Sequence, residues 1–211
     1  MDYYLWGLQR SGTNYLKDLI EQNLNAKCLN RHDWCWKHSI DQPKEFDPKS
    51  GKSIVITKNP YTWVESIAFR KSVDWTKRQK TYPASGMVSD DNAVGPRRLD
   101  VEALAKTYAH FIKTWIMDNP DSYHVRYEHL LETRYRVMHL EKVEKLLNTE
   151  KSNSLWINPP IGSTSQSFDM NYQRIMYYLD QKPQQLTIHQ TQIINKTIGR
   201  EIFNKLGYTI I

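Results

Sequence analysis

Asp2-Tyr3-Tyr4-Leu5-Trp6-Gly7-Leu8-Gln9-Arg10-Ser11-Gly12-Thr13 is the stretch on which the fold turns. Asp2 to Trp6 reads as a short, aromatic, buried strand, and the glycine-bounded segment Gly7 to Thr13 follows at once. From Thr13 to Leu24, residues Tyr15, Leu16, Leu19, Ile20 and Leu24 fall at near-helical spacing. Strand, Gly7-x-x-Arg10-Ser11-Gly12-Thr13, helix is a unit with a physical consequence. The turn aims successive backbone N–H groups and a helix N-terminus at one spot, where the macrodipole adds roughly half a positive charge. It reads as an anion site, against the plainer alternative of a tight turn with a helix cap. It departs from the ATP- and GTP-binding loop, which needs Lys and Ser/Thr directly after the second glycine. Here Thr13-Asn14 follow Gly12, and the cation is Arg10, two residues before that glycine.

Working outward, Ala26 to Leu29 gives a weak second strand, and Ser53-Ile54-Val55-Ile56-Thr57 the clearest one, β-branched and bounded by Gly51 and Pro60. Pro60 suits the first position of a helix to about Phe69. Residues 71–99 are polar, basic and irregular; a loop this long is usually functional. Asp100 caps a helix carrying Val101, Leu104, Ala105, Tyr108, Phe111, Ile112, Trp115 and Ile116 on one face, stopped by Pro120. Ser122–Tyr127 reads as a strand, Thr133–Leu147 as an amphipathic helix, and 148–166 as loop. Tyr172–Leu179 and Thr187–Leu206 read as the last helices, with Gly207 as C-cap. Alternating strands and helices imply one α/β domain over residues 1–211, three-layered around a mostly parallel sheet. Ligands bind beyond the carboxyl ends of such strands. Lys58 stands at that edge, and Ser66 lies eight residues further on, so a charge and a hydroxyl can converge on one phosphate.

Composition narrows the classes. The 211 residues include 29 Lys and Arg against 23 Asp and Glu, a net charge of +6 that favours anionic partners or is simply a solvated basic surface. No apolar run approaches the roughly 18 residues of a membrane span, and no basic-then-apolar leader opens the chain. Two cysteines, Cys28 and Cys35, cannot make a disulfide scaffold. A cytoplasmic protein with no membrane partner is the expectation.

Taken together, Arg10-Ser11-Gly12-Thr13 and Lys58-Asn59-Pro60 with Ser66 resemble the sulfotransferases that use 3′-phosphoadenosine 5′-phosphosulfate (PAPS), whose architecture is P-loop-like. In that family a Lys/Arg-x-Gly-Thr loop holds the 5′-phosphosulfate; here Asn14 and Tyr15 stand where it often has Thr and an aromatic. A cation before Asx-Pro, with a serine eight residues later, holds the 3′-phosphate; Lys58 replaces the usual arginine, keeping charge but losing the bidentate fork. Val125-Arg126-Tyr127-Glu128-His129-Leu130-Leu131 is similar to the family's Tyr-Glu-Asp-Leu strand end, whose tyrosine lies near the adenine, with His129 in place of Asp. Lys205-Leu206-Gly207-Tyr208 looks like a common ending. The likeness covers residues 2–150 plus this tail. The family's C-terminal Arg-Lys-Gly motif is not recognisable, which leaves a third wall of the nucleotide site open.

The resemblance implies sulfuryl transfer from PAPS to a hydroxyl or amine of a small-molecule or carbohydrate acceptor, without a metal. Arg10, Thr13 and loop N–H groups supply charge stabilisation, with Ser11, Gly12, Asn14, Tyr15, Lys58, Ser66 and Tyr127 holding the nucleotide. A base is also needed. His38 is favoured because it falls just past an expected strand end and a histidine suits neutral pH; His32 and Asp33 are alternatives, and Lys37 can assist the leaving group or the sulfuryl oxygens. Cys28, His32, Cys35 and His38 match no common zinc spacing, and no metal site is expected. Trp34, Trp36, Trp63 and Trp75 can line an acceptor cleft or serve as core. Residues 67–100 form the acceptor loop and 148–211 a helical C-terminal part, the acceptor site being open or completed by a second copy in a homodimer. Two competing readings remain, a P-loop kinase of a small metabolite and a non-catalytic nucleotide or nucleic-acid binding module. The first lacks Gly-Lys-Ser/Thr and the second any nucleic-acid motif, so no nucleic-acid partner is expected.

Overall fold

The computed structural model describes residues 1–30, 37–43, 46, 52–68, 100–157, 179, 183 and 185–211. Among these, the strands are β1 (Asp2–Trp6), β2 (Lys27–Cys28), β3 (Lys52–Thr57) and β4 (Tyr123–Arg126), all parallel in the order β2-β1-β3-β4. Between and after them run α1 (Thr13–Asn23), α2 (Pro60–Ala68), α3 (Val101–Ile112), α4 (Tyr127–Leu131), α5 (Thr133–Leu147) and α6 (Ile188–Leu206).

Strand alternation sorts the core into two layers. Tyr3, Leu5, Ile54, Ile56 and Val125 pack on one side with Leu16, Leu19, Ile20, Leu130, Leu140 and Val143 of α1, α4 and α5. Trp6 and Val55 pack on the other with Trp63, Tyr108, Phe111, Ile194 and Phe203 of α2, α3 and α6. The result is the expected three-layer α/β fold. Both faces of the sheet are covered, which is why β3 reads as a continuous apolar run rather than as alternating polar and apolar residues.

Four details differ from the sequence reading. The second strand shrinks to Lys27–Cys28, because the Asn30 side chain continues the ladder itself: its Oδ1 accepts from the Leu5 N–H at 2.9 Å and its Nδ2 donates to the Leu5 carbonyl at 2.7 Å. The helix expected to run α-helically to Ile116 becomes a π-turn at Lys113–Met117. That turn lets Trp115 stack on Trp6, 3.9 Å between centroids, and donate to the carbonyls of Ser39 and Ile40. Tyr127, expected as the last residue of a strand, instead opens a short helix, Tyr127–Leu131, directly at the carboxyl end of β4. Gly199, at φ +79°, kinks the last helix. The irregular stretch 71–99, residues 158–166 and Tyr172–Tyr178 of an expected helix lie outside the described residues. None of the described helices is long and apolar enough to cross a membrane.

Candidate anion-binding site

The strand order creates the site. From β1 the chain crosses to β2 on one side, and from β3 to β4 on the other, so the carboxyl ends of β1 and β3 border the crevice where open parallel sheets bind ligands. The Gly7–Gly12 loop leaves one of these ends and Lys58-Asn59 the other.

The loop is held by its carbonyls. The Leu8 carbonyl accepts from Ser11 N–H at 3.1 Å and from its hydroxyl at 2.6 Å. The Gln9 carbonyl accepts from the Trp63 indole at 2.8 Å, and that of Gly12 from Leu16 N–H at 3.0 Å. Because a trans peptide sets C=O and the following N–H on opposite sides, anchoring the Gln9 carbonyl on the Trp63 indole turns the Arg10 N–H the other way. Arg10 and Gly12 both have positive φ, +68° and +91°, an alternation that cups N–H groups. Gly12 is the N-cap of α1 and no side chain caps it, so the first-turn N–H groups carry the usual unpaired donors of a helix start. Two glycines are sterically required. A Cβ on Gly7 would lie 2.7 Å from Ser11 Oγ, Thr13 Cγ2 and Ile56 Cγ2, and one on Gly12 would lie 2.3 Å from the Tyr127 ring.

Lys37 and His38 dock beside this loop. Gly7 N–H donates to the Lys37 carbonyl at 3.0 Å, while His38 Nδ1 lies 2.6 Å from the Gly7 carbonyl. A carbonyl only accepts, so Nδ1 carries the proton and Nε2 is the basic nitrogen. Burial lowers the His38 pKa to about 4, with Lys37 adding to the fall and the Gly7 bond opposing it, so the ring is neutral at pH 7. His38 lies in a turn against Gly7, while residues 34–36, on which its expected place after a strand rests, lie outside the described residues. The Lys37 ammonium donates to Asn14 Oδ1 in the first turn of α1, and burial lowers its pKa.

On the other arm, Lys58 is buried, only 2% exposed. Its ammonium lies 5.8 Å from the centroid of the Tyr127 ring, the same ring that lies on Gly12, so one tyrosine links the two arms. Asn59 caps α2: its Oδ1 accepts from Tyr61 N–H at 3.0 Å and Thr62 N–H at 3.3 Å, with Pro60 at the first helical position. Among the described residues, the side chains of Leu8, Ser11, Thr57, Lys58, Trp63 and Tyr108 close the floor of the crevice so fully that no space for a water molecule is left between them.

The sequence-derived residues therefore divide. Arg10, Ser11, Gly12, Thr13, Asn14, Lys37, His38, Lys58 and Tyr127 gather around the crevice. Ser66 lies on α2 with its hydroxyl donating to the Trp63 carbonyl at 2.7 Å. Tyr15 faces the core, where it accepts from Arg136 at 3.0 Å. Trp63 is likewise core, 1% exposed, and acts by pinning the loop rather than by lining a cleft. His32, Asp33, Trp34, Cys35, Trp36 and Trp75 lie outside the described residues. Cys28 is a buried thiol whose pKa is raised, chiefly by burial, and among the described residues no group of three or more His, Cys, Asp or Glu is placed to hold a metal.

Glu128 was missed. Buried beside Tyr127, its Oε1 accepts from Asn59 N–H and its Oε2 from the Tyr208 hydroxyl, each at 2.8 Å. Burial raises its pKa, opposed by these bonds and by Lys58. The signal was present: a carboxylate among Val125, Tyr127, Leu130 and Leu131 sits in an apolar context that buries it. Compared with known proteins, the chain matches no family model, no curated protein and no solved structure.

Proposed function

We propose that this protein is a sulfotransferase of P-loop-like architecture, moving the sulfuryl group of PAPS to a hydroxyl or amine of a small-molecule or carbohydrate acceptor. One observation carries the reading. The uncapped start of α1 with its Arg10-Ser11-Gly12 turn, and Lys58 at the tip of the adjacent strand, flank the same Tyr127 ring at the switch point of a parallel sheet. A ligand with anionic groups at two separated positions matches two separated cations, and a purine can stack on the aromatic ring between them.

In this reading Arg10 and the first-turn N–H groups of α1 receive the 5′-phosphosulfate, and Lys58 the 3′-phosphate. His38 Nε2 takes the acceptor's proton as its oxygen or nitrogen attacks sulfur. The S–O bond to the 5′-phosphate breaks, and the leaving phosphate keeps the electron pair, stabilised by Arg10 and the helix start. Lys37, next to Asn14, adds positive charge at the same end. Because Lys58 is buried beside Tyr127, binding must shift the Tyr127 ring.

Thermal shift with the product, adenosine 3′,5′-bisphosphate, tests this. At a hundred times its dissociation constant, and without magnesium, it should raise the melting temperature by about 5–10 °C. A larger shift from ATP with magnesium would turn the reading to a kinase. A shift from single-stranded oligonucleotide alone would make the protein a nucleic-acid binding module. If His38 is the base, the acid limb of kcat/KM falls near pH 4 rather than 6.5.

A further inference from the structure

The peptide unit between Lys58 and Asn59 is gripped on both sides. Its carbonyl oxygen accepts from the Tyr108 hydroxyl at 2.7 Å, and its N–H donates to Glu128 Oε1 at 2.8 Å. Tyr108 comes from α3 and Glu128 from α4, on opposite faces of the sheet, so the two layers meet on a single peptide plane. All three groups are buried: Tyr108 is 1% exposed, Glu128 2% and Asn59 1%. A peptide plane is rigid, and fixing it leaves the Lys58 side chain to swing only about its own χ angles. The other carboxylate oxygen of Glu128 is held by the hydroxyl of Tyr208, just after the Gly207 cap of the last helix. Arg126 in turn packs on the Tyr208 ring, 4.2 Å away, and donates to the Gly207 carbonyl at 2.8 Å. Each Glu128 carboxylate oxygen thus accepts from one donor, the Asn59 N–H or the Tyr208 hydroxyl.

We infer that Glu128 is a positioning residue: with Tyr108 it fixes the Lys58–Asn59 peptide and so aims the Lys58 ammonium at the anion, while Tyr208 orients Glu128. The inference rests on the reading that Lys58 meets a phosphate. It goes beyond that reading by giving the chain's last turn a part in anion affinity without contact with the ligand.

The test compares Glu128→Ala, Glu128→Gln and Tyr108→Phe in the full chain, by calorimetric affinity for adenosine 3′,5′-bisphosphate and by amide hydrogen exchange at Asn59. Glu128→Gln keeps an acceptor for Asn59 N–H, so exchange stays slow and affinity stays within about threefold of the unaltered chain. Glu128→Ala speeds Asn59 exchange and weakens the bisphosphate at least about tenfold. Tyr108→Phe, which removes one hydroxyl, weakens it about threefold to tenfold and decides the matter should Glu128→Ala fail to fold. Unchanged affinity in a folded Glu128→Ala or in Tyr108→Phe overturns the inference. So does a Glu128→Gln as weak as Glu128→Ala, which would make Glu128 a counter-charge instead. An unaltered chain that ignores the bisphosphate sinks the nucleotide reading, while slow Asn59 exchange in Glu128→Ala sinks the clamp alone.

Discussion

The two arms of the crevice hold a cation each, by opposite means. The arm after β1 is built from backbone: four of its carbonyls are anchored, its turns need glycine at two places, and its cation, Arg10, is exposed. The arm after β3 is built from side chains. Lys58 is buried, and Tyr108, Glu128 and the Asn59 amide hold the strand tip. The first arm should therefore be intolerant of added Cβ atoms and tolerant of changed side chains, and the second the reverse.

The largest effect expected of one substitution tests the backbone arm. Gly12→Ala puts a Cβ at φ +91° and 2.3 Å from the Tyr127 ring. The left-handed conformation alone costs about 1–3 kcal/mol in a non-glycine residue, and displacing a buried ring adds to it, for a total of about 3 kcal/mol or more in urea denaturation. A loss under about 1 kcal/mol would mean that the loop and Tyr127 are not packed as described.

Acid compares the arms directly, since each holds a neutral histidine. His38 on the loop arm has its pKa lowered to about 4 by burial, and His124, bonded to Thr57 at 2.7 Å, to about 3 by burial and Arg126. His139, bonded to Tyr123 at 2.6 Å, is lowered to about 4 by burial and His129. These groups bind protons in the unfolded chain below its ordinary histidine pKa of about 6.5, but not in the folded one until about pH 3–4. Stability is therefore complete above about pH 6.5 and falls as pH drops toward 4. Each group accounts for a loss on the order of 2 kcal/mol by pH 4.5, so the three together cost several kcal/mol. Glu128, with its raised pKa, acts in the opposite sense and blunts the loss. His38→Gln and His124→Gln should each flatten the profile; if only one does, the acid sensitivity belongs to that arm.

The side-chain arm has its own test in Asn59→Ala, which removes the α2 cap and should cost about 1–2 kcal/mol, with Asn59→Asp restoring most of it. A neutral Asn59→Ala would show that Pro60 alone starts the helix.

What could be read from the sequence follows the same divide. β1, β3, α1 and α5 were legible from local periodicity, and α3 and α6 from caps as well: Asp100 accepts from Glu102 N–H, Thr187 and Gln190 form a capping box, and Gly207 ends α6 in the left-handed conformation. The backbone arm was legible too, since a Gly-x-x-Arg-Ser-Gly-Thr turn advertises its geometry. The side-chain arm was legible only in its cation: Lys58 stands out at the strand end, but its burial depends on residues 50 and 70 positions away, Tyr108 and Glu128. The shape of the Trp115 turn and the inward course of Tyr15 likewise depend on distant partners, Trp6 and Arg136.

Arg10 offers the smallest stability effect and the sharpest contrast. It is the exposed member of the loop and holds φ +68°, a conformation that glycine adopts without the Cβ penalty. Arg10→Gly should therefore stabilise the fold by about 0.5–1 kcal/mol, the relieved strain outweighing the added freedom of the unfolded chain. The same substitution removes the guanidinium from the mouth of the crevice, so affinity for the bisphosphate should fall at least about tenfold. Strain retained at one exposed residue, with a gain in stability and a loss of binding when it is released, is the signature of a position kept for its charge. Were Arg10→Gly more stable and equally good at binding, the anion would have to be held by backbone N–H groups alone, and the two arms would differ still more than their present geometry implies.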